Sequence, residues 1–273
     1  MKIDVNGKAV FLYTGGKAMD AGALKAAVAA DTPVVLFLHG AQLDHSCWLL
    51  QSRWFGHHGF LALAPDLPGH GKSAGEALSS IEALADWVVA LLEALEIPQA
   101  NVVGHSMGSL ITLECAARHP QHFKRAVFVG TAIPMPVAPV LLNAARDDEA
   151  KAAQMINAWS YGYGQIGGSP VPGMWLLGQN LRLMARQPRG TFHRDLSACN
   201  AYARTVESLA DIRLPTLFVT GGQDRMTAPK IARAMRETIP GAREIILPGS
   251  GHALMAEYPD AVLDALREFF SEP

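Results

Sequence analysis

Short, almost continuously apolar runs recur along the chain, and segments with helical spacing lie between several of them. The apolar runs are at residues 34–38, 60–64, 100–103, 126–129, 216–220 and 244–247. The helical patterns are at residues 81–95, 106–118, 230–238 and 261–270. Strands of a parallel sheet are covered by helices on both faces, so their sequences lose the apolar–polar alternation of half-exposed strands. This order of elements predicts an α/β fold with a mostly parallel central sheet and helices on both faces.

The beginning of the chain has a different pattern. Apolar and polar residues alternate before Asn6-Gly7, and a second strand-like stretch follows it. Asn-Gly readily adopts the two positive φ angles of a type I′ turn, so a β-hairpin is predicted before the parallel strands.

The alternation of strand and helix patterns stops between about residues 134 and 210. This part contains helix-compatible sequence at 139–161, a stretch rich in Gly and Pro at 162–173, many aromatic and Met residues, and no convincing strand. We interpret it as a mainly helical lid inserted into a core that residues 1–133 and 211–273 form.

Charge and cysteine content narrow the classes of function. The 273 residues include 23 Lys and Arg against 25 Asp and Glu, a balance that argues against a nucleic-acid partner. No run approaches the roughly 18 apolar residues of a membrane span, and residues 1–8 lack the apolar stretch of a signal peptide. The three cysteines, Cys47, Cys115 and Cys199, are widely spaced and odd in number, which indicates no disulfide framework. We expect a cytoplasmic protein without membrane or nucleic-acid partners.

A Gly-x-Ser-x-Gly pentapeptide, Gly104-His105-Ser106-Met107-Gly108, follows the third apolar run directly and opens a helical segment. In that context the pattern is typical of a nucleophile elbow, a strained strand-to-helix turn that exposes the serine Oγ above the sheet. The alternative is a serine that only caps a helix.

A second match to the same pattern shows how weak the pentapeptide is by itself. Residues 71–75 read Gly-Lys-Ser-Ala-Gly, but the preceding apolar run ends near Ala64 and the next helical pattern begins only near Ser79. Ser73 therefore cannot lie at an elbow. The same stretch is not a phosphate-binding loop, because Asp66 occupies the position of the required first glycine.

A serine nucleophile needs a base and a group that orients the base. Asp224 follows the fifth apolar run and His252 follows the sixth, so serine, acid and histidine occur in the order that a strand-to-helix nucleophile elbow requires, each at the carboxyl end of a strand. Other carboxylates fit less well: Asp211 precedes its strand, Asp195 lies in the predicted lid, and Asp66 is better explained as an organiser of its loop.

Taken together, these motifs resemble those of the α/β-hydrolase superfamily, in its lidded serine-esterase branch. The resemblance covers essentially the whole predicted core and rests on five motifs in the family's order, at residues 39–40, 66–73, 104–108, 222–224 and 249–252. It implies the α/β-hydrolase fold, with a helical lid inserted into the core.

The resemblance also implies a role for each matching residue. Ser106 is the nucleophile, His252 is the general acid and base, and Asp224 fixes the tautomer of His252. The backbone amides of Met107 and Ala41 form the oxyanion hole.

Five further residues are candidate substrate contacts. Gln42 either adds a side-chain donor or only braces the loop after the first apolar run, and His45 lies in the same loop. His105, inside the elbow, and Trp159 and Trp175, in the predicted lid, complete the set.

Metal and cofactor are not expected. His119 and His122 have a spacing that could bind a metal only with a third ligand, and Pro120 breaks the helix that would align them. Acyl transfer at a serine needs no cofactor.

The nucleophile type limits the reaction, and the lid sets the substrate. Serine at the elbow excludes the two branches, haloalkane dehalogenases and epoxide hydrolases, that use aspartate there. We therefore expect a carboxylesterase for small to medium, partly apolar substrates. Cleavage of lactones, thioesters or carbon–carbon bonds shares the same chemistry, and a ligand-binding module without turnover is the alternative from another class. A homodimer contact is the competing use of the apolar residues in the lid.

Overall fold

The computed structural model describes residues 1–162 and 175–272, in which one eight-stranded sheet forms the centre. The strands, β1 to β8 in chain order, are Lys2–Val5, Lys8–Tyr13, Val34–Leu38, Leu61–Pro65, Ala100–His105, Phe123–Val129, Thr216–Gly221 and Arg243–Leu247. Their spatial order is β1-β2-β4-β3-β5-β6-β7-β8. β2 pairs antiparallel with β1 and β4, and every pair from β4 to β8 is parallel. The predicted α/β fold with a mostly parallel sheet is confirmed.

Helices connect the strands. In the described residues they are numbered α1 to α11 and are Ala21–Ala29, Leu49–His57, Ile81–Ala94, Met107–Arg118, Pro139–Asp147, Glu149–Ser160, Leu176–Met184, Thr191–Ala201, Pro229–Thr238, Leu254–Glu257 and Pro259–Ser271. A 3-10 turn at His45–Trp48 precedes α2. None of these helices combines the length and apolarity that crossing a membrane requires.

The two faces of the sheet carry separate apolar cores, as the residues of β3 illustrate. Val34, Leu36 and Leu38 pack in one buried cluster with α3, α4 and α9, whereas Val35 and Phe37 pack in a second cluster with α2 and α11. Because alternate residues of a strand point to opposite faces, helices cover the sheet on both sides. This double coverage explains why the strand sequences are continuously apolar.

The predicted strand boundaries differ from the structure mainly where charged residues interrupt a run. The hairpin is present, and Asn6 and Gly7 have φ angles of 54° and 73°, as a type I′ turn requires. β6 begins at Phe123, three residues earlier than predicted. The prediction began too late because the charged Lys124 and Arg125, at the solvent-accessible start of the strand, interrupt its apolar pattern.

Residues 130–215, which we call the β6–β7 segment, contain α5 to α8 and no strand in the part that the structure describes. The predicted helix over 139–161 is two helices, because Asp148 ends α5 and its side chain accepts a hydrogen bond that begins α6. The segment's apolar cluster includes Leu141, Phe192 and also Leu43, from the loop after β3. The segment therefore packs over the carboxyl end of the sheet. Most of the Gly- and Pro-rich stretch lies outside the described residues.

Candidate active site

Ser106 lies between the end of β5 and the start of α4 in a strained backbone conformation, with φ 54° and ψ −118°. The neighbouring glycines make this turn possible. A Cβ on Gly104 would lie 1.9 Å from the carbonyl oxygen of Gly108, and a Cβ on Gly108 would lie 2.4 Å from the carbonyl oxygen of Leu38. The pentapeptide thus has the geometry of a nucleophile elbow.

Ser73, in the second Gly-x-Ser-x-Gly match, has a different role. It lies in the loop between β4 and α3, where its Oγ accepts from the Phe11 amide (2.9 Å) and donates to the Asp66 carbonyl (2.7 Å). The side chain joins the hairpin to this loop and does not lie at an elbow, as the sequence predicted.

A cavity of about 650 Å³ opens above Ser106, and His252 also lines it. Its walls come from the loop after β3, from α2, from the loops after β7 and β8, and from the β6–β7 segment. Apolar side chains of the segment that line it include Leu141, Ile156 and Trp159. The volume suits a small organic molecule, and the apolar walls favour one with hydrocarbon parts.

His252 is hydrogen-bonded to a buried carboxylate. Its Nδ1 donates to Asp224 Oδ2 at 2.8 Å, which leaves Nε2 as the nitrogen that can exchange a proton. Asp224 also accepts from the amides of Met226 and Thr227 (both 2.8 Å) and from the Thr227 hydroxyl (2.6 Å). Burial by itself raises the pKa of the Asp224 carboxyl, but the charge of His252 and these hydrogen bonds outweigh it, and the pKa lies below its ordinary value.

The loop that carries His252 is attached on two sides. The amides of His252 and Ala253 both donate to the carbonyl of Ser160, at the end of α6. On the other side, His105 Nε2 donates to the His252 carbonyl at 2.8 Å. Burial and then the charge of His252 lower the pKa of His105 to about 3, so His105 is a neutral donor.

The backbone amides of Met107 and Ala41 lie beside Ser106. Met107 begins α4 directly after Ser106. Ala41 follows Gly40, and a Cβ added to Gly40 would lie 3.3 Å from the Cβ of Ser106. Across the described residues, neither amide donates to a protein acceptor. The start of α4 adds the positive end of a helix dipole at this point.

The sequence matches the model of the alpha/beta hydrolase family over residues 35–265. The chain belongs to this family. Several relatives carry esterase names, among them esterase YbfF of Escherichia coli K12, which is 26% identical over 89% of this chain and 94% of that protein.

Two further relatives of this alpha/beta hydrolase are named for other substrates. The (E)-2-((N-methylformamido)methylene)succinate hydrolase of Acinetobacter baylyi is 25% identical over 86% of this chain and 89% of that protein. The enol-lactonase of Burkholderia xenovorans LB400 superposes with a TM-score of 0.84, at 25% identity and full coverage of both chains.

The structure separates the five predicted substrate contacts of this hydrolase. His105 and Trp159 line the cavity. Gln42 does not: its Nε2 donates to the Met184 carbonyl, so it braces the loop, which was one of its two predicted roles. Trp175 is also outside the lining and is 65% exposed, contrary to the prediction, because it precedes α7 on the outer surface.

The prediction for His45 is likewise corrected. Its Nδ1 lies 2.6 Å from Asp66 Oδ1, and its ring packs against Phe11, so the side chain points away from the cavity. Asp66 also accepts from the amides of His45 and Lys72, which fits the predicted role as a loop organiser. Asp44, His45 and Asp66 have ligand-type atoms within 4.8 Å of one another, but the contact between His45 and Asp66 already accounts for their proximity.

Sequence reasoning missed two side chains that support the His252 loop. Thr227 binds Asp224, and its position three residues after the acid is a signal that could have indicated this contact. Glu257 accepts from the amides of Gly251 (2.9 Å) and Gly162 (2.8 Å) and so joins the His252 loop to the end of α6. Nothing in the local sequence around Glu257 indicates that link.

Proposed function

We propose that the protein is a serine hydrolase that cleaves carboxylic esters of small to medium, partly apolar substrates through an acyl-Ser106 intermediate. The observation that carries this proposal is that Ser106, on a strained elbow, shares one cavity with His252, whose Nδ1 is bonded to a buried carboxylate.

In the proposed reaction, Ser106 Oγ attacks the ester carbonyl while His252 Nε2 takes its proton. Asp224 stabilises the imidazolium that forms, and the amides of Ala41 and Met107 donate to the oxyanion. The tetrahedral intermediate then breaks its bond to the alcohol oxygen, which receives the proton from His252. A water molecule, deprotonated by His252, attacks the acyl-enzyme in the same way and releases the carboxylic acid and free Ser106.

Residues 134–210, within the β6–β7 segment, are proposed as the lid. Its helices supply the apolar wall above Ser106, so acyl groups would be selected by fit against Leu141, Ile156 and Leu183. Buried methylene groups contribute about 0.8 kcal/mol each, which makes such a wall an effective discriminator of chain length.

Burst kinetics and active-site labelling test the proposal. A p-nitrophenyl ester should give a burst of p-nitrophenol equal to the enzyme concentration, and a fluorophosphonate should label Ser106, located by peptide mass spectrometry. Ser106→Ala should lose both labelling and burst, and turnover should fall by at least about 10³-fold. Ser271→Ala, an exposed serine in α11, is the matched control and should behave like the wild type. Turnover that persists in Ser106→Ala would contradict the proposal.

Lactone hydrolysis is the second candidate, because the enol-lactonase match extends over the full length of both chains. Acid release from a lactone and from a simple ester of similar size, both followed by a pH indicator, would distinguish the two activities. Carbon–carbon cleavage would call for a polar or cationic side chain near the carboxylate or enol of the substrate. Of Arg182, Arg186, Arg189 and Arg194 in the β6–β7 segment, Arg186 lines the described cavity wall, where it is mostly exposed and lies 3.5 Å from Asp44. Arg225, after β7, lines the cavity as well.

A further inference from the structure

A buried carboxylate from the β6–β7 segment holds the loop after β3. Asp195, in α8, accepts two hydrogen bonds at its Oδ2: one from the amide of Gln42 and one from His70 Nε2, both 2.8 Å long. Gln42, His70 and Asp195 are all buried. Gln42 directly follows Ala41, whose amide is one of the two proposed oxyanion donors.

The contacts of His70 favour its charged form. Its Nδ1 lies 3.0 Å from the carbonyl oxygen of Pro68, and its Nε2 faces Asp195. A carbonyl oxygen and a carboxylate oxygen both accept hydrogen bonds, and this arrangement favours hydrogen on both ring nitrogens. Burial alone lowers the pKa of His70, but the charge and hydrogen bond of Asp195 outweigh it and raise the pKa. Asp195 and His70 therefore form a buried ion pair.

The neighbouring histidine is neutral by the same reasoning. His39 lies with its ring centroid 4.9 Å from that of His70, and its Nε2 accepts from the Leu67 amide at 3.0 Å. A nitrogen that accepts a hydrogen bond carries no proton. Burial and the charge of His70 lower the pKa of His39 to about 4. The positive charge is thus confined to the histidine that faces Asp195.

Gln42 is held in a conformation that it would not otherwise favour. Its φ is 57°, in the left-handed region that non-glycine residues seldom adopt. The hydrogen bond from its amide to Asp195 opposes the return to negative φ. Without this bond, the loop keeps the hydrogen bonds from the Gln42 side chain to the Met184 carbonyl and from the Leu43 amide to the Gly40 carbonyl, but the peptide between Ala41 and Gln42 loses its direct restraint.

We propose that Asp195 is a positioning residue for the oxyanion hole: the protonated His70 orients it, and it fixes the Gln42 amide so that the Ala41 amide points towards the oxyanion. This inference rests on the proposed function. It gives α8 a role beyond covering the cavity, because the helix would then support stabilisation of the transition state.

The test compares Asp195→Ala and Asp195→Asn with the wild type, using rates per active site titrated by the p-nitrophenol burst. Losing one oxyanion donor typically costs about 10²–10³ in rate, so misplacing one should lower kcat about tenfold in Asp195→Ala. KM should stay within about threefold. The inhibition constant of a trifluoromethyl ketone, which forms an oxyanion on the serine, should rise about tenfold as well. Asp195→Asn should be intermediate, because a carboxamide oxygen still accepts from Gln42.

Asp148→Asn is the matched control. It removes one negative charge from the same segment, as Asp195→Asn does. Asp148 is an exposed N-cap of α6 that does not contact the loop after β3, so kcat should be unchanged. A merely structural role of Asp195 would reduce the number of titrated sites without changing kcat per site. If Asp195→Ala does not fold, the isosteric Asp195→Asn decides. Rates per site and ketone affinities equal to the wild type would overturn this inference alone, whereas a wild type without burst or labelling would overturn the proposed function and the inference with it.

Discussion

The elbow around Ser106 and the loops around it are held in place by different means. Backbone clearance shapes the elbow, since Gly104 and Gly108 leave no space for a Cβ. The loops after β3 and β8 instead depend on partners in the β6–β7 segment: Asp195 accepts from Gln42, and the Ser160 carbonyl accepts from the His252 amide. In this candidate site, neighbouring residues determine the conformation of the elbow, whereas residues far away in the sequence determine the conformation of the loops.

The elbow and the loops also differ in how far apart in the sequence their contacting residues are. The contacts that restrict the elbow involve residues four apart, Gly104 and Gly108, together with Leu38 and His39 of the neighbouring strand end. The bond between Gln42 and Asp195 joins residues that are 153 positions apart. We therefore expect substitutions in the elbow to be far more damaging than substitutions in the segment.

Gly108→Ala tests the stronger half of this comparison. The new Cβ would lie 2.4 Å from the Leu38 carbonyl oxygen and 2.7 Å from that of His39, both backbone atoms that cannot move away cheaply. α4 must shift, and displacing the nucleophile by about 1 Å is expected to lower kcat/KM by at least 10²-fold. Steady-state kinetics and a melting curve measure the effect.

Gly22→Ala is the matched control, because Gly22 occupies the same second position of its helix, α1. Its added Cβ would have nothing closer than 3.4 Å, so we expect wild-type kinetics and an unchanged or higher melting temperature. Equal activity of Gly108→Ala and Gly22→Ala would remove the basis of the comparison.

The same division explains how much the sequence could predict. Short stretches of sequence indicate the apolar strands, the elbow at Ser106 and the positions of Asp224 and His252 after strands. The structure brings these three residues to one edge of the sheet. Double coverage of the sheet makes its strands recognisable, and glycine requirements make the elbow recognisable. These are local signals.

The remaining contacts have no local signal. The direction of the His45 side chain is one example. It points to Asp66 and not to the cavity because the turn at residues 45–48 brings it next to Asp66 in the folded protein. The sequence predicts that Asp195 lies in the lid, but its bond to Gln42 depends on how α8 packs. Side-chain orientation in loops and in packed helices is a tertiary property, which a single sequence does not express.

The histidines of the two regions predict opposite effects of pH on stability. His39 and His105, at the sheet edge, have folded-state pKa values of about 4 and about 3. In the unfolded chain, imidazole takes up a proton near pH 6.5, so between pH 6.5 and 4 the unfolded state binds more protons. The free energy of unfolding should therefore fall as the pH falls, by about 1.4 kcal/mol per pH unit for each of the two.

His70, which faces the β6–β7 segment, acts in the other direction. Its raised folded-state pKa gives stabilisation that is fully present below about pH 6.5 and is lost as the pH rises through the folded value. Urea unfolding at pH 5, 6, 7 and 8 measures both effects, and His57→Gln, an exposed histidine, should leave the slope unchanged. Stability that increases from pH 6 to pH 5 would show that His39 and His105 are not held neutral.

The smallest expected effect concerns the wall that the segment contributes to the cavity. Ile156, in α6, lines the cavity, and Ile156→Ala would free space for a longer acyl chain. Since burying one methylene contributes about 0.8 kcal/mol, the kcat/KM ratio of two p-nitrophenyl esters that differ by one methylene should rise about fourfold in favour of the longer one. Val140→Ala, at an exposed position of α5 outside the cavity, should leave that ratio unchanged. An unchanged ratio in Ile156→Ala would mean that the acyl chain lies elsewhere, and the segment would then act on the site only through the loops that it holds.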